Sequence, residues 1–449
     1  MAKVHVLMVP FPAQGHVTPL MELSHRLVDH GFEVIFVNTE THHARVLSAL
    51  PASGTAVLGG IHLASIPDGL ASDDERRDLS KLVDSCYRHM PEHLERLVAD
   101  MEAAGRPKVK WLVGDLNLGV CFEVAKKLGV RVASFWPSSA ACLAILLSVP
   151  KLVEKGLVNE QGVPALPWDA AAPGVADAMD GQQWRATRTP ALFQAVTRFD
   201  KFKNLAEVII CNSFQDIEAG ALKLFSDILP IGPLFADREL QKPVGHFLPE
   251  DECCIRWLDA QPDRSVVYVA FGSMVVFDPC QFVELAEGLE LTGRPFLWVV
   301  RPDFTAGLSM AWFDEFRKRV ADTGLILSWC SQQQVLAHRT AACFVSHCGW
   351  NSTMEGLRNG VPFMCWPHLF DQFLDGSYIT NVWRTGVAVS PNADGIVAKE
   401  ELRSKVDQVV GDAEIKERAW LLKEAACGYV SEGGSSYKNF QKLVNQLGE

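Results

Sequence analysis

Positive charge is scarce in this sequence relative to negative charge. The 449 residues include 42 lysines and arginines against 54 aspartates and glutamates, for a formal net charge of −12 at pH 7. A nucleic-acid backbone or an anionic membrane surface is bound by clustered lysine and arginine, and no such cluster is present. The composition therefore argues against both kinds of partner and favours small molecules.

Spacing patterns for metal sites or disulfide frameworks are also missing, although cysteine itself is common. The 12 cysteines are scattered without a Cys-x-x-Cys pair, and most lie within apolar runs, as Cys211, Cys343 and Cys365 do. A zinc site or a disulfide framework needs more regular spacing. We therefore expect reduced core cysteines in a reducing compartment, no metal and no cofactor.

Apolar runs long enough for a membrane span are absent as well. The N-terminal apolar run is cut by Pro10 and Pro12, and the uncharged stretch from Val132 to Pro150 is divided by Pro137 into a strand-like and a helix-like part. A spanning helix needs about 20 apolar residues in sequence. The sequence predicts a cytoplasmic protein without membrane insertion.

What the sequence does contain is a twofold alternation of strand-like and helix-like segments. Continuous apolar runs of this kind are typical of strands that are buried on both faces of a parallel sheet. The fold class predicted is α/β, with two Rossmann-like domains whose parallel sheets face a cleft. The predicted strands begin at Val4, Phe32, Trp111, Val130 and Glu207 in the first half, and at Ser265, Pro295, Gly324, Ala341, Val361 and Thr385 in the second.

A stretch rich in proline, glycine and charge separates the two halves and indicates the domain boundaries. We predict an N-terminal Rossmann-like domain over residues 1–235, a linker over 236–252 and a C-terminal Rossmann-like domain over 253–430. Residues 161–189, rich in alanine, proline and glycine, are predicted to be a loop-rich insertion.

The segment PFPAQGHVTPLMELS, which begins at Pro10, follows the first predicted strand. It contains one glycine, not the three of a dinucleotide fingerprint, so it is not expected to hold a pyrophosphate. Pro19 fits the first position of a helix behind Thr18 as cap, which would leave His16 in a strand-to-helix loop. Such loops lie at the carboxyl ends of parallel strands, where ligands bind.

A second dense segment runs from Trp329 to Gln372. Within it, Cys348-Gly349-Trp350 follows a predicted strand and precedes a helix. The N–H groups at the start of a helix, together with small side chains, suit a diphosphate. An alternative is that Ser352 and Glu355 merely form a capping box, as the pattern S-T-M-E allows.

These motifs together resemble those of the plant UDP-sugar-dependent glycosyltransferases of secondary metabolism, which have the GT-B fold. The resemblance rests on the segment Trp329–Gln372, on Gln14-Gly15-His16, on Asp115 in LVGDLNLG and on Phe271-Gly272-Ser273. It departs from the family at one point, where Trp-Ala-Pro-Gln is replaced by Trp-Cys-Ser-Gln, from Trp329 to Gln332. The loss of this proline bears on the rigidity of the loop.

The resemblance implies a UDP-sugar site in the second half of the chain. Aromatic faces suit a base, carboxylates suit paired hydroxyls, and neutral donors suit a diphosphate that must leave. The implied ligands are Trp329, Gln332 and Glu355 for uracil and ribose, Ser273, His347, Asn351 and Ser352 for the phosphates, and Trp350, Asp371 and Gln372 for the sugar.

The resemblance also implies the donor and the reaction. A glutamine at the end of this segment goes with glucose in the family, so Gln372 indicates UDP-glucose. His16 would be the general base, since an imidazole with an ordinary pKa of about 6.5 can accept a proton near neutral pH. Asp115 would orient the ring, and the acceptor would attack the anomeric carbon with inversion.

The acceptor is predicted less specifically, as a small apolar molecule with a phenolic, flavonoid or terpenoid hydroxyl. Its candidate contacts are the apolar residues Trp136, Leu143, Trp184 and Phe193, which suit an ordinary core equally well. The linkage formed is left open between O-, ester, N- and C-glucosides. The family further implies that a final helix, over residues 431–449, packs on the N-terminal domain through Phe440 and Leu443.

Two other classes of function stay open at this point. The first is a UDP-sugar-binding protein without catalysis, which would keep the nucleotide segment and lack the base, whereas His16 and Asp115 are both present. The second is a different enzyme on the same fold, such as an epimerase or a retaining transferase, which would not explain the plant-type segment. The enzyme is expected to be a monomer.

Overall fold

A computed structural model describes residues 3–51, 54–159, 190–234, 245–248, 253–305 and 307–449. Its contacts divide the chain into two compact units, the first formed by Met1–Leu248 and Gly428–Glu449 and the second by Pro249–Cys427. The first boundary falls within the stretch 236–252 that the sequence predicts as a linker. The predicted insertion 161–189 lies outside the described residues.

The first unit contains a parallel sheet of seven strands with the order β3-β2-β1-β4-β5-β6-β7. The apolar residues of β1 and β4 are buried on both faces of this sheet, as helices cover each side. The strands are β1 His5–Val9, β2 Glu33–Thr39, β3 Ile61–Ile66, β4 Val109–Asp115, β5 Arg131–Trp136, β6 Val208–Cys211 and β7 Ile228–Pro230.

Helices connect these strands, as parallel pairing requires a crossover. In the described part of the unit they are α1 Gln14–Asp29, α2 Glu40–Ala49, α3 Asp73–Arg77, α4 Leu79–Ala103, α5 Val120–Lys127, α6 Ala140–Glu154, α7 Pro190–Thr197, α8 Phe199–Lys203 and α9 Ala219–Leu224. A short 3-10 helix, Leu116–Leu118, follows β4.

The second unit repeats the arrangement with a parallel sheet of six strands in the order β10-β9-β8-β11-β12-β13. The strands are β8 Val266–Ala270, β9 Phe296–Val299, β10 Gly324–Leu327, β11 Ala341–Ser346, β12 Phe363–Cys365 and β13 Gly386–Ala388. The helices of this part of the chain are α10 Cys253–Asp259, α11 Pro279–Thr292, α12 Met310–Arg319, α13 Gln332–Ala337, α14 Trp350–Asn359, α15 Gln372–Ser377, α16 Lys399–Gly411 and α17 Ala413–Val430.

Two strands of the first sheet were not predicted from the sequence, and both lie at its edges. In β3, Ile61–Ile66, a histidine and a serine interrupt the apolar residues, and β7 has only three residues and ends in Pro230. An edge strand has one paired neighbour, so it tolerates polar residues and proline that a central strand excludes.

The predicted start of α1 was wrong. The helix begins at Gln14, so Pro19 lies inside it and His16 lies in its first turn, not in a loop. The Gln14 side chain donates to the Gly245 carbonyl (3.3 Å) and accepts from the Phe247 N–H (2.8 Å). These long-range bonds fix the first turn of α1. The preference of helices to start at proline is a local property of the sequence, so it does not reveal them.

The last helix, α18 Ser435–Gly448, packs into the core of the first unit. Phe440, Leu443 and Leu447 are 0–1% exposed and belong to the same cluster as the residues of β1 and α1. The Arg26 guanidinium lies 4.0 Å from the centre of the Phe440 ring.

Replacement of Phe440 by alanine is expected to destabilise the protein by about 3–5 kcal/mol, because it leaves a cavity in this core. Urea unfolding followed by fluorescence measures the change. The control is Lys442→Ala on the exposed side of the same helix, which should change stability by no more than about 0.5 kcal/mol. Equal effects of the two substitutions would show that the helix is not held by its apolar face.

His42, in the first turn of α2, is a buried histidine and makes stability depend on pH. Its side chain pairs with the Thr39 hydroxyl at 2.7 Å, and its ring centre lies 4.7 Å from that of Phe247. Burial, with a contribution from the Arg45 charge, lowers the pKa of His42 to about 4. The folded protein thus keeps this ring neutral at pH values where the unfolded chain, with a histidine pKa of about 6.5, takes up a proton.

The free energy of unfolding should therefore fall as the pH is lowered from about 6.5 towards 4. Between pH 7 and pH 5, His42 is expected to account for a loss of about 2 kcal/mol. Urea unfolding at both pH values, in the wild type and in His42→Asn, measures this contribution as the difference between the two losses. An identical pH dependence in the two proteins would contradict the prediction.

Candidate active site

One candidate site lies in the first unit, where the strand order of the first sheet reverses. The chain runs outward from β1 to β3 and then returns to place β4 on the other side of β1. The carboxyl ends of two strands at such a point leave a crevice that suits a ligand. His16 follows β1 and Asp115 ends β4, so the topology brings these two residues to the same point.

The two side chains are in direct contact. His16 Nδ1 lies 2.6 Å from Asp115 Oδ2, and the His16 side chain is 28% exposed whereas that of Asp115 is fully buried. An imidazole nitrogen beside a carboxylate carries the hydrogen and donates it. Asp115 therefore fixes the tautomer, and His16 Nε2 is the nitrogen left to accept a proton.

The Asp115 carboxylate has further donors around it. Oδ1 accepts from the Asn117 backbone N–H at 2.9 Å and from Asn117 Nδ2 at 2.8 Å, and Oδ2 also accepts from the Phe11 N–H at 3.5 Å. The Phe11 ring lies 5.1 Å from the His16 ring, centre to centre. The pair is thus held by the turn after each strand.

Another candidate site lies in the second unit, at the corresponding reversal in its sheet, where β8 and β11 are neighbours. Gly272 follows β8, and His347 and Gly349 follow β11. A Cβ atom on Gly272 would lie 2.5 Å from His347 Nε2, and one on Gly349 would lie 2.6 Å from the same atom. Glycine is therefore favoured at both positions next to the ring, and at Gly272 the φ of +66° favours it as well.

His347 is neutral in the folded protein. Burial is the main cause that lowers its pKa to about 3, and the nearby His368 adds to the effect. A neutral imidazole contributes a dipole and no net charge. This agrees with the neutral donors that the sequence predicts around the first turn of α14.

Gln332, at the start of α13, connects three elements of the second unit. Its Oε1 accepts from the Tyr268 hydroxyl of β8 at 3.1 Å, and its Nε2 donates to Ser352 Oγ at 2.9 Å and to the Glu355 carboxylate. Ser352 and Glu355 lie inside α14, whose N-cap is Gly349. The alternative that these two residues form a capping box is therefore wrong, because the helix begins before them.

The three predicted sugar contacts also lie at the edge of the second sheet that is formed by the carboxyl ends of its strands. Gln372 is 7% exposed, and its Oε1 accepts from the His368 and Leu369 N–H groups, both at 2.9 Å. These two bonds fix the orientation of the Gln372 amide, with Oε1 as the acceptor and Nε2 as the donor group. Asp371 is the N-cap residue of α15, and Trp350 is the first residue of α14 and 2% exposed.

The remaining predicted nucleotide contacts follow the strand ends in the same way. Trp329 is partly buried after β10, Ser273 is exposed after β8, and Asn351 is partly buried in the first turn of α14. All ten predicted UDP-sugar contacts thus lie at, or after, the carboxyl ends of strands in the second sheet.

Three of the four predicted acceptor contacts are packed into the interior of the first unit. Trp136 is 3% exposed and its indole N–H donates to the Ser139 carbonyl at 2.8 Å, Leu143 is fully buried, and Phe193 packs with Val149. Trp184 lies outside the described residues. Contact of these residues with an acceptor stays a prediction.

Asn117 in the first unit and Tyr268 in the second are polar residues of the two candidate sites that the sequence did not indicate. Both act on other side chains, Asn117 on Asp115 and Tyr268 on Gln332. Tyr268 lies 64 positions from Gln332 along the chain, and inside an apolar strand it is typical of an ordinary core residue. Only the packing of β8 against α13 reveals its partner.

No group of three histidine, cysteine, aspartate or glutamate side chains in the described ranges is arranged to hold a metal ion. In the same ranges, no helix combines the length and the hydropathy that a bilayer crossing needs.

Comparison with known proteins gives two family matches. The description "UDP-glucoronosyl and UDP-glucosyl transferase" fits residues 248–425, and "Glycosyltransferase, N-terminal domain" fits residues 2–72. UDP-glycosyltransferase 83A1 of Arabidopsis thaliana is 37% identical over 462 residues, which covers 100% of this chain and 97% of that protein. The 7-deoxyloganetin glucosyltransferase of Gardenia jasminoides is 34% identical over 480 residues, which covers 99% of this chain and 98% of that enzyme.

Solved structures are similar over the whole chain as well. Os79 from O. sativa in complex with UDP has a TM-score of 0.82 and 32% identity, and the match covers 98% of this chain and 100% of that one. UGT2 of Phytolacca americana, complexed with UDP-2-fluoro-glucose and pterostilbene, has a TM-score of 0.79 and 26% identity, and the match covers 99% and 100% of the two chains.

The fold, with two parallel-sheet α/β units, is that of the GT-B glycosyltransferases, as the sequence predicted. Within this class, the chain belongs to the plant UDP-glycosyltransferase family. The prediction that it is an enzyme, a UDP-glucosyltransferase of plant secondary metabolism, is confirmed.

The glycine beside His347 provides a test of the candidate donor site. In Gly349→Ala the new methyl group would collide with the His347 ring, and overpacking of this kind costs about 1–3 kcal/mol. We expect the Kd for UDP, measured by calorimetry, to rise by about tenfold.

The matched control is Gly411→Ala, in the same unit, where a Cβ meets no atom within 4 Å. This variant should bind UDP like the wild type. Unchanged affinity in Gly349→Ala would show that the turn after β11 does not approach the nucleotide.

Proposed function

We propose that this protein is an inverting glucosyltransferase that transfers glucose from UDP-glucose to a hydroxyl of a small apolar acceptor. Its relatives support the donor and the kind of acceptor. One is named a 7-deoxyloganetin glucosyltransferase, and a similar structure holds UDP-2-fluoro-glucose with pterostilbene. Phenolic, flavonoid and terpenoid hydroxyls are the acceptors we expect.

In the proposed reaction, His16 Nε2 removes the proton of the acceptor hydroxyl while the oxygen attacks the anomeric carbon. The new bond joins the acceptor oxygen to that carbon, and the bond from the carbon to the diphosphate oxygen breaks to release UDP. One displacement inverts the configuration. The Asp115 carboxylate, 2.6 Å from Nδ1, stabilises the imidazolium that forms.

The donor is proposed to lie at the reversal point of the second sheet. The N–H groups at the start of α14 would face the diphosphate, where the helix dipole favours negative charge. Glu355 and Gln332 would bind the ribose, Trp329 would stack on uracil, and Gln372 would donate to glucose. Because His347 is neutral, the diphosphate would be held by dipoles and could be released after reaction.

The observation that carries the proposal is the contact between His16 and the buried Asp115. A UDP-sugar-binding protein without catalysis is the alternative, and it has no need of a buried carboxylate that orients a partly exposed imidazole. Ester, N- or C-glucoside formation would use the same pair with a different nucleophile.

Replacement of His16 by alanine should abolish transfer and preserve the binding of UDP. A general base contributes about 10²- to 10⁴-fold to the rate, so kcat should fall at least a hundredfold. Mass spectrometry of acceptor panels detects the added hexose, and calorimetry measures UDP binding to the same samples. The control is His62→Ala, since His62 is a partly exposed histidine of the same unit paired with Glu33 at 2.9 Å.

Transfer at the wild-type rate by His16→Ala would contradict the role of the base. Binding of UDP-glucose without transfer to any acceptor, by the wild type, would favour the non-catalytic alternative.

A further inference from the structure

The Asp115 carboxylate carries a charge in a place that water does not reach. Its side chain is 0% exposed, and a buried carboxylate is stable only when donors in the protein replace water. Four donors meet it in the described residues, namely His16 Nδ1, the Phe11 N–H, the Asn117 N–H and Asn117 Nδ2. Asn117 supplies two of the four, and both of them reach Oδ1.

These contacts assign different tasks to the two carboxylate oxygens. Oδ2 holds the His16 ring, and among the described residues Oδ1 is bonded by Asn117 alone. The terminal torsion of an aspartate is broad and twofold, so a carboxylate without such a partner can rotate. The bonds to Oδ1, together with the Phe11 N–H on Oδ2, therefore keep Oδ2 towards the His16 ring.

From this geometry we infer that Asn117 is a positioning residue of the catalytic pair, which holds the Asp115 carboxylate so that Oδ2 faces His16 Nδ1. Its side-chain amide also withdraws negative charge from the carboxylate, since a donated hydrogen bond stabilises the charged form. Asn117 thereby limits how strongly Asp115 favours the protonated ring of His16. The kinetic part of this inference rests on the proposed function, in which His16 must be neutral to act as a base.

The charges decide in which direction the loss of the Asn117 amide shifts the protonation of the His16 ring. In Asn117→Ala the backbone N–H of residue 117 still bonds Oδ1, so Oδ2 keeps facing the ring. Without the side-chain donor, the carboxylate attracts the imidazolium more strongly, and the ring stays protonated to a higher pH. A second carboxylate in place of Asn117 would add to this effect. The acid limb of the pH profile of kcat/KM should therefore move to higher pH in Asn117→Ala and further in Asn117→Asp.

The other titratable groups near the pair are expected to stay uncharged or unchanged in these variants. Tyr87 of α4 is the next group that interacts with Asp115, and burial raises its pKa well above the ordinary value. Beyond it lie Cys121 of α5, whose pKa burial raises to about 12, and the Arg198 guanidinium, 5.4 Å from the centre of the Tyr87 ring. Tyr87 and Cys121 therefore do not titrate between pH 5 and 9.

The test uses the full-length protein with UDP-glucose and an acceptor found in the panel above. Asn117→Ala is expected to lower kcat by about tenfold, the value of one hydrogen bond to a charged group. In Asn117→Asp, the acid limb should move by about one pH unit. A matched control is Asn439→Ala, because Asn439 is a partly buried asparagine of the same unit that donates to the Pro230 carbonyl at 2.8 Å. This variant should leave both kcat and the limb unchanged.

A second measurement does not depend on transfer. The His16 ring is titrated by NMR in labelled wild type, Asn117→Ala and Asn117→Asp, with its signal assigned from a His16→Gln sample. The midpoint should rise in the order wild type, alanine, aspartate.

Equal midpoints in the three proteins would overturn the inference, whatever the rates are. A rate loss in Asn117→Ala without any shift of the limb or the midpoint would also overturn it, since a merely structural role gives that result. If the midpoints move while His16→Ala still transfers glucose, the positioning of the pair stands and the proposed role of His16 as base fails.

Discussion

The pairing of β1 with β4 is the constraint on which the candidate site of the first unit depends. Val9 of β1 is level with Gly114 of β4, and each chain continues past this point into a turn. His16 and Asp115, 99 positions apart in the sequence, meet because the two turns begin at the same edge of the sheet. The same pairing places the Phe11 N–H beside the carboxylate, so backbone and side-chain donors both bond to Asp115. A shift in register would separate all of these groups at once.

The strand order reverses in the second sheet as well, but different groups lie at that point. At β8 and β11, two glycines let the backbone approach the His347 ring, and the Gln332 amide joins Ser352 to Glu355. The first site pairs a buried carboxylate with an imidazole, whereas the second presents neutral donors and a helix start. This division suits a reaction in which one unit would generate a nucleophile and the other would hold a leaving diphosphate, because the leaving group must be stabilised and still be released.

The sequence predicted all six strands of the second sheet and the five inner strands of the first, and it missed the two edge strands of the first. Central strands are buried on both faces, so their apolar runs are unmistakable, as in VHVLMV and SVVYVA. The edge strands β3 and β7 carry polar residues or proline and were missed. The start of α1 was misplaced at Pro19 because Gln14 is fixed by residues more than 200 positions away. Likewise, S-T-M-E has the local pattern of a cap but lies inside α14.

By itself, the sequence determined the α/β class, the twofold arrangement, the family and the residue types of the site, since periodicity and motif spacing are local properties. Only the tertiary structure decided which side chains meet. The contact of His16 with Asp115, the two bonds of Asn117 to the opposite oxygen and the bond from Tyr268 to Gln332 all depend on strand order and register. The physical reason is that a buried polar group must find its partners in the packed interior, and distance along the chain does not specify which elements become neighbours there.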